Sequence, residues 1–357
     1  MGQMDRVLEI KRVPSEYIRG IAIVFVVLGH ILGGTFGIID THITSILGIG
    51  GVTIFLLLSG YGLYQSYQKN GLQGRSYWDK KLEKVFLPYA VITVIYYLYM
   101  MLRGTAPGYP ALLRNILCID YSRTMDGTMW YMSFLPLWYL AFFCVFYFKG
   151  ATAGKVGMLV LLGLAFHSYW LKDTFGPCAW QFSTNAFAFP CGVALGYAMD
   201  LYNRSPICPK WKAWFGLLMR IAVFAGSLTV LILCILQTVQ ISYWKCGIAI
   251  FFFLYTLLSL PKKEIKVLKW LGASSFLIYL IEGKLIAIWG QFKFLTGNPV
   301  VYLVSYAAAT VILVYLYRFG SMLPGRIRRF IAATPDDHQI EKNWQVKSYE
   351  NLFSCPG

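Results

Sequence analysis

Arg19 and His30 are ionisable side chains in a mostly apolar segment near the start of the chain, SEYIRGIAIVFVVLGHILGG. They are eleven residues apart, so in an α-helix both project from one face, about 16 Å apart along the axis. A neutral imidazole in a water-filled cleft can accept a proton from a hydroxyl group. We therefore expect a groove suited to a ligand with phosphates at the arginine end and a reactive group at the histidine end.

Two other roles are compatible with the same residues. His30 can simply hydrogen-bond a neighbouring helix, as polar side chains do in membrane bundles. A proton-coupled transporter or exporter of a glycan or lipid precursor also uses ionisable residues within the membrane. Transporters often contain inverted repeats with interrupted helices in matching halves, and no such pairing is visible in the sequence. The transporter is the alternative function, and a catalytically inactive membrane scaffold is a third.

The composition is typical of an integral membrane protein. Of the 357 residues, 57% are hydrophobic and 13% are charged, whereas soluble domains contain about 25% charged residues. Ten apolar segments are long enough, or nearly long enough, to cross a bilayer. They are residues 18–38, 46–66, 86–102, 129–148, 155–171, 184–201, 214–236, 241–260, 270–290 and 299–319. The expected fold class is therefore all-α, a polytopic bundle of about ten transmembrane helices.

The distribution of Lys and Arg predicts how these helices are oriented. With the N-terminus inside, the inner segments contain 23 Lys and Arg residues and the outer segments contain five. Because cytoplasmic loops collect positive charge, both termini of this plasma-membrane protein are expected to be cytoplasmic. The net charge of +16 has the same origin, so no nucleic-acid partner is expected. The domain prediction is a transmembrane domain over residues 1–325 and a short polar cytoplasmic tail over residues 326–357.

Five segments together resemble the membrane-bound acyltransferase-3 family. The first is IRGIAIVFVVLGH (18–30), which has the arginine, ten residues and histidine of the family's first membrane helix. The others follow in the family's order: GVTIFLLLSGYGL (51–63), YWDKKLEKVFLPYAV (77–91), TMWYMSFLPLWYL (128–140) and WLGASSFLIYLIEGKL (270–285). The resemblance implies a ten-helix bundle that transfers an acyl group, usually acetyl, from cytoplasmic acyl-CoA to a hydroxyl of a glycan, lipid or small molecule.

The resemblance also implies roles for individual residues. Arg19 and His30 belong to the implied active site, with His30 as the base or the acyl-handling residue. The family often has histidine where this chain has Glu282, which could accept a proton, orient a base, or be a buried structural carboxylate. Lys284 lies only two residues from Glu282, so the two side chains project to different sides of a helix and are not expected to pair.

Three lysines that precede the third apolar segment, Lys80, Lys81 and Lys84, join Arg19 as candidates to bind the phosphates of CoA. Ordinary positive-inside charge is the alternative explanation for them. The family commonly has Arg at the positions of Lys81 and Lys84, and lysine binds phosphate without the bidentate fork. Acetyl-CoA is the expected donor, and a carbohydrate or lipid-linked molecule reachable at the membrane is the expected acceptor. Four His and scattered Cys predict no metal site. Oligomeric state is left open.

The longest outer loop, residues 103–128, contains three further candidate residues, Asp120, Arg123 and Asp126. They are expected to be solvated, with contact to a polyhydroxylated acceptor as the alternative. Cys118 in this loop and Cys178 in another outer loop could form a disulfide. Sequence alone does not determine which cysteines pair.

Overall fold

The computed structural model describes residues 10, 12–168, 171–206, 208–236, 242–260 and 263–333. Over these residues it contains helices and no strands, so the all-α prediction is confirmed. The α-helices are α1 (Arg12–Leu28), α2 (Thr41–Asn70), α3 (Gly74–Lys81), α4 (Leu87–Leu102), α5 (Tyr109–Ile116), α6 (Trp130–Tyr147), α7 (Thr152–His167), α8 (Lys172–Phe175), α9 (Ala179–Asn185), α10 (Ala188–Arg204), α11 (Pro209–Ile235), α12 (Tyr243–Leu258), α13 (Lys266–Trp289), α14 (Lys293–Thr296) and α15 (Pro299–Ala333).

Two π-helical segments extend the α-helices near the candidate site residues. Gly29–Thr35 continues α1 and contains His30, and Leu82–Phe86 joins α3 to α4 and contains Lys84. A π-helical turn widens the helix locally, and such turns are frequent at functional sites. α1 is a regular α-helix up to Leu28. The prediction that Arg19 and His30 share a helix face assumes α-helical geometry, which therefore applies to all but the last two residues between them.

Seven helices in the described part of the chain are long and apolar enough to cross a membrane. They are Val13–Thr35, Thr41–Asn70, Gly74–Leu102, Trp130–Tyr147, Trp214–Ile235, Lys266–Trp289 and Pro299–Ser321. The bent pair Thr152–His167 and Lys172–Arg204 is an eighth if it is counted as one span. The ten-helix count is therefore not confirmed. α12 has only 16 residues, which extend about 24 Å against a hydrocarbon core of about 30 Å.

Close backbone contacts position the central helices. A Cβ added to Gly272 of α13 would lie 1.9 Å from the carbonyl oxygen of Glu16 in α1. A Cβ added to Gly192 of α10 would lie 2.0 Å from the carbonyl oxygen of Leu57 in α2. Only glycine allows helices to approach this closely, as small residues do at helix interfaces in membranes. These contacts pair α13 with α1 and α10 with α2, and α1 also packs against α2, so the four helices form one bundle.

Substitution of Gly192 by alanine is expected to destabilise the bundle by about 1–3 kcal/mol, because overpacking a well-packed interface forces backbones apart. Gly157 in α7 is the matched control, since nothing lies within 4 Å of a Cβ built there. Thermal unfolding of the purified variants in detergent compares the two. An unchanged midpoint for Gly192→Ala would contradict the close contact between α10 and α2.

The contacts also define the relative directions of the helices. In the α1–α13 pair, Gly20 lies beside Leu268 and His30 lies beside Glu282, so the two helices are parallel. α1 and α2 are antiparallel, since the Cβ positions of Gly51 and Gly33 meet Ala22 and Thr44 respectively. α2 and α10 are parallel, because Gly192 meets Leu57 and Gly196 meets Tyr64.

The chain divides into two units, residues 1–306 and 307–357. The first contains α1 to α14 and the beginning of α15, and all the candidate site residues belong to it. The second contains the rest of α15, which continues to Ala333 and so passes the predicted domain boundary at residue 325. The remainder of the predicted polar tail, residues 334–357, lies outside the described residues.

The cysteines pair differently from the possibility raised by the sequence. Cys118 and Cys178 are both buried free thiols, so their pairing is not found. The structure contains instead a disulfide between Cys234, near the end of α11, and Cys246 in α12. Both of these cysteines lie within apolar segments, so the pattern that singled out loop cysteines missed them.

Candidate functional site

The imidazole of His30 contacts a carboxylate from a helix far away in the sequence. Its Nδ1 pairs with Oε1 of Glu282 in α13. The Glu282 side chain is fully buried, whereas 38% of the His30 side chain is exposed. A carboxylate that accepts the Nδ1 hydrogen fixes the tautomer in which Nε2 is the basic nitrogen. The exposed ring is then able to accept a proton at Nε2, with Glu282 to stabilise the imidazolium that forms.

The second carboxylate oxygen of Glu282 is also buried, and no hydrogen-bond partner for this Oε2 atom exists among the described residues. A buried acceptor without a partner is costly, and such groups are uncommon in native proteins. Oε2 is therefore a buried acceptor next to His30 that no described residue satisfies.

A buried ion pair lies immediately beside the His30–Glu282 pair. Lys284 Nζ donates to Oδ2 of Asp126 at 3.1 Å, and both side chains are at least nine-tenths buried. The backbone N–H and hydroxyl of Thr128 donate to Oδ1 of Asp126 at 2.9 and 2.7 Å. Burial alone would raise the pKa of Asp126, but Lys284 and the Thr128 hydrogen bonds outweigh it and hold that pKa below its ordinary value.

The prediction that Asp126 and Asp120 are solvated is therefore wrong. Asp120 is 5% exposed and its Oδ2 accepts hydrogen bonds from Thr124 and Asn115. These bonds fold the loop tightly, with Arg123 at a φ of +54° and only partly buried. The prediction that Glu282 and Lys284 do not pair with each other agrees with the structure, since each pairs with a different partner.

The loop over residues 103–128 thus packs directly on α13. The Tyr279 hydroxyl donates to the carbonyl oxygen of Thr128 at 2.5 Å. A Cβ added to Gly283 would lie 2.2 Å from the Thr128 hydroxyl and 2.6 Å from Asp126 Oδ1. One signal in the sequence pointed to this contact: a lysine inside an apolar span requires a counter-ion. Sequence reasoning did not identify Asp126 as that counter-ion.

A second part of the site is a cavity of about 420 Å³. Arg19, Lys81 and Lys84 line it, together with residues of α2, α6 and α13 that include Ser59, Tyr139 and Ser275. The described lining residues contain three cations and no carboxylate. A cavity with this charge suits the phosphates of a ligand. The structure therefore brings together three of the four basic residues proposed for phosphate binding.

Aromatic rings position Lys81 in this cavity. Its Nζ lies 4.5 Å from the ring centroid of Tyr139 and 5.3 Å from that of Tyr77, within the range of cation–π attraction. The Tyr77 hydroxyl donates to the carbonyl oxygen of Tyr139 at 2.8 Å, which connects α3 to α6. The Lys81 ammonium is thereby held near the cavity rather than left on a mobile chain.

Lys80 lies elsewhere. It lines a separate, open depression with Arg75, Asp79 and Glu83, and its side chain is exposed. The structure does not bring Lys80 to Arg19. On a helix, Lys80 and Lys81 project about 100° apart, so the two neighbours face different surroundings.

The cavity and the His30–Glu282 pair lie along the same pair of helices. Ser275 of the cavity and Glu282 are seven residues apart on α13, which places them on one face about 10 Å apart along the axis. Arg19 of the cavity and His30 are three turns apart on α1. Between the two parts stand Tyr131 and Tyr279, with ring centroids 5.3 Å apart. Tyr131 lines the cavity, whereas Tyr279 and His30 do not, so the Tyr131–Tyr279 contact joins the cavity wall to the part of α13 that precedes Glu282.

No group of three or more His, Cys, Asp or Glu that could hold a metal ion is found among the described residues.

No curated protein and no protein of solved structure matches the chain. A family model described as an acyltransferase domain matches residues 15–319, which is most of the chain and includes every residue of the site described above. From this match, the chain belongs to the acyltransferase-3 family of membrane acyltransferases.

Proposed function

We propose that the protein transfers an acyl group, acetyl in the first instance, from acyl-CoA to a hydroxyl of a cell-surface glycan, a lipid-linked sugar or a small molecule. The observation that carries this proposal is the His30–Glu282 pair, which lies on the same two helices as a cavity lined by Arg19, Lys81 and Lys84. A base oriented by a buried carboxylate, together with a basic cavity beside it, suits transfer from a phosphorylated donor.

The basic cavity is the proposed donor site. Arg19, Lys81 and Lys84 would neutralise the phosphates of the donor, and the acyl-bearing arm would extend past Tyr131 and Tyr279 toward His30. Oriented binding of both substrates converts a bimolecular reaction into an effectively unimolecular one. The proposed reaction needs no metal ion, because the imidazole supplies the base and a thioester is already an activated acyl group.

His30 is the proposed general base. Its Nε2 removes the proton from the acceptor hydroxyl as that oxygen attacks the carbonyl carbon of the thioester. Glu282 stabilises the imidazolium that results. The carbon–sulfur bond then breaks, and His30 returns the proton to the leaving thiolate, which yields the free thiol of CoA and the acylated acceptor. An acyl-His30 intermediate is the alternative route, since imidazole is also a nucleophile.

The ten-span topology with both termini cytoplasmic is part of the proposal. The parallel directions of α1 with α13 and of α2 with α10, and the antiparallel direction of α1 and α2, support it. His42, at the start of α2, donates to the carbonyl oxygen of Cys234 at 2.8 Å, so the Cys234–Cys246 disulfide lies at the proposed outer side. Disulfides persist in oxidising compartments, which also supports this orientation. Residues 1–325 are the proposed catalytic domain, in the plasma membrane, and residues 326–357 the cytoplasmic tail.

The proposed activity is tested with purified protein in lipid nanodiscs and radiolabelled acetyl-CoA. Hydrolysis of the thioester or transfer of label by the wild-type protein, absent in His30→Ala, supports the acyltransferase. Proton-driven uptake of an unmodified solute into proteoliposomes, without thioester cleavage, would instead favour a transporter.

Lys81→Ala and Lys84→Ala are each expected to raise the KM for acyl-CoA by about tenfold to a hundredfold, because a hydrogen bond to a charged group contributes about 1.5–3 kcal/mol. Lys80→Ala is the matched control, one residue away but in a different depression, and its KM is expected to stay within a factor of two of wild type. Initial rates at varied donor concentration measure these values. If all three substitutions raised the KM equally, donor binding would depend on the general positive charge of this segment and not on the basic cavity.

A further inference from the structure

A second groove, separate from the basic cavity, lies on the lipid-facing side of the bundle between α10, α11 and α12. Its volume is about 360 Å³. We call it the α11 groove and define it by Leu195, Met199, Phe215, Arg220, Phe252 and Tyr255. Its lining is mostly aliphatic and aromatic, which is the surface that a hydrocarbon chain prefers. None of the residues proposed for acyl transfer lines it.

The helix that forms one wall of the groove is highly exposed on its other faces. Large apolar side chains of α11 such as Leu217, Leu218 and Ile221 are each more than half exposed. In a membrane-spanning helix of high mean hydropathy, such exposed apolar side chains are in contact with lipid. The groove is therefore directly accessible from the bilayer.

Among the described residues that line this groove, Arg220 is the cation, and it lies within the membrane-spanning part of α11. It is six residues after Trp214, where the span begins, which is about 9 Å along the helix. Its side chain is exposed, and no described residue hydrogen-bonds to it or forms an ion pair with it. A guanidinium in the apolar part of a membrane is costly unless an anion or water reaches it, so the described residues alone do not satisfy Arg220.

We propose that the α11 groove binds one anionic phospholipid, whose phosphate pairs with the Arg220 guanidinium and whose acyl chain lies along the apolar lining. Guanidinium binds phosphate through two parallel hydrogen bonds. A phospholipid presents a phosphate and a long apolar chain together from the bilayer. The long arginine side chain can extend toward the headgroup region.

The leaflet follows from the neighbours of the groove. Ile10 also lines it, and the backbone N–H of Ile10 donates to the Tyr61 hydroxyl at 3.0 Å. The groove therefore opens at the end of the bundle where α1 begins, opposite to the end that contains His30 and the outer loop. The proposed occupant is a lipid of the leaflet at that end, where clusters of basic residues favour anionic headgroups.

Native mass spectrometry of the full-length protein in detergent tests this proposal, with phosphatidylglycerol, phosphatidylethanolamine or inorganic phosphate added separately. The wild-type protein is expected to retain one phosphatidylglycerol in preference to phosphatidylethanolamine. Arg220→Gln is expected to lower the retained phosphatidylglycerol at least tenfold, and Arg220→Lys to lower it less. Lys245→Gln is the matched control, because Lys245 is also exposed at a span edge but lies outside the groove, and its lipid retention is expected to be unchanged.

Ala198→Phe is a second variant that tests the groove even if Arg220→Gln fails to fold. Ala198 lines the groove and is exposed, so a phenyl ring there fills the chain-binding part without overpacking the core. It is expected to lower phosphatidylglycerol retention with Arg220 intact. Equal retention by wild type, Arg220→Gln and Ala198→Phe would overturn the proposal. The proposal would also be overturned if phosphatidylethanolamine bound equally well, or if inorganic phosphate bound but no lipid did. It would likewise be overturned if the protein formed a complex of two protein chains that Arg220→Gln dissociates.

Discussion

Replacement of His30 by alanine is expected to lower kcat for acyl transfer by a factor of about 10²–10⁴, the range for loss of a general base. The KM for acyl-CoA is expected to change little, because the basic residues proposed to bind the donor line a cavity that does not include His30. Without the imidazole, nothing at this position removes the hydroxyl proton as the oxygen attacks the thioester. Initial rates of label transfer in nanodiscs, at varied donor concentration, separate kcat from KM.

Two further variants make the His30 result specific. His167→Ala is the matched histidine control, because the His167 ring contacts the Ser183 carbonyl group far from the site, and its kcat is expected to equal that of wild type. Glu282→Gln keeps the shape of the side chain but removes the charge that stabilises an imidazolium, so an intermediate loss of kcat is expected. A His30→Ala protein that melts like the wild type and retains full kcat would refute the role of His30.

Replacement of Lys284 by methionine is expected to lower the free energy of unfolding by about 3–5 kcal/mol, because removal of one partner leaves a buried charge uncompensated. In this variant the unpaired charge is the carboxylate of Asp126, whose side chain is 6% exposed. The loop that carries Asp126 and Thr128 would be expected to detach from α13 first. Thermal unfolding in detergent, together with proteolysis of the loop, measures both effects.

The double variant Asp126→Asn, Lys284→Met tests whether the cost comes from the unpaired charge. It is expected to be more stable than Lys284→Met alone, since neither charge then needs a partner. Equal stability of the single and double variants would contradict a buried ion pair. The interaction also has a pH signature. The pKa of folded Asp126 lies below the ordinary 3.8, so the stability that the pair contributes is complete above that pH and is lost as the pH falls through the folded pKa.

The detachment of this loop would have a functional consequence. Asp126 and Thr128 contact α13 at Tyr279, Gly283 and Lys284, on either side of Glu282. A loop held in this way limits how far Glu282 can move from His30. We therefore expect Lys284→Met to lose kcat at temperatures below its unfolding midpoint, and Asp126→Asn, Lys284→Met to recover part of it.

Local periodicity predicted the relation between Arg19 and His30, the two site residues at α1. The eleven-residue spacing of Arg19 and His30 places them on one face of any regular helix, and α1 is regular up to Leu28. The same reasoning separated Glu282 from Lys284. The helical fold class followed from hydropathy, because a backbone in lipid must satisfy its own hydrogen bonds. The number of full spans did not follow, since three of the ten predicted segments are short or bent.

Contacts between distant segments were not predictable in the same way. Nothing in the local sequence of the outer loop distinguishes Asp126, which is buried against Lys284, from an ordinary solvated loop carboxylate. The three neighbouring lysines look alike in sequence, yet Lys81 and Lys84 face the basic cavity and Lys80 does not. The disulfide joins Cys234 and Cys246, two cysteines that the hydropathy pattern placed in apolar segments.

The amino-acid sequence by itself predicted the all-α membrane fold class and the family, because both depend on residue types and hydropathy along the chain. It also predicted a common face for Arg19 and His30, which depends only on their short spacing. Only the tertiary structure decided that Glu282 is the partner of His30 and that Asp126 is the partner of Lys284. Those pairs join residues that are 252 and 158 positions apart. Which distant side chains meet depends on how closely whole helices and loops pack, as at Gly272 and Gly283, and short-range periodicity carries no information about that.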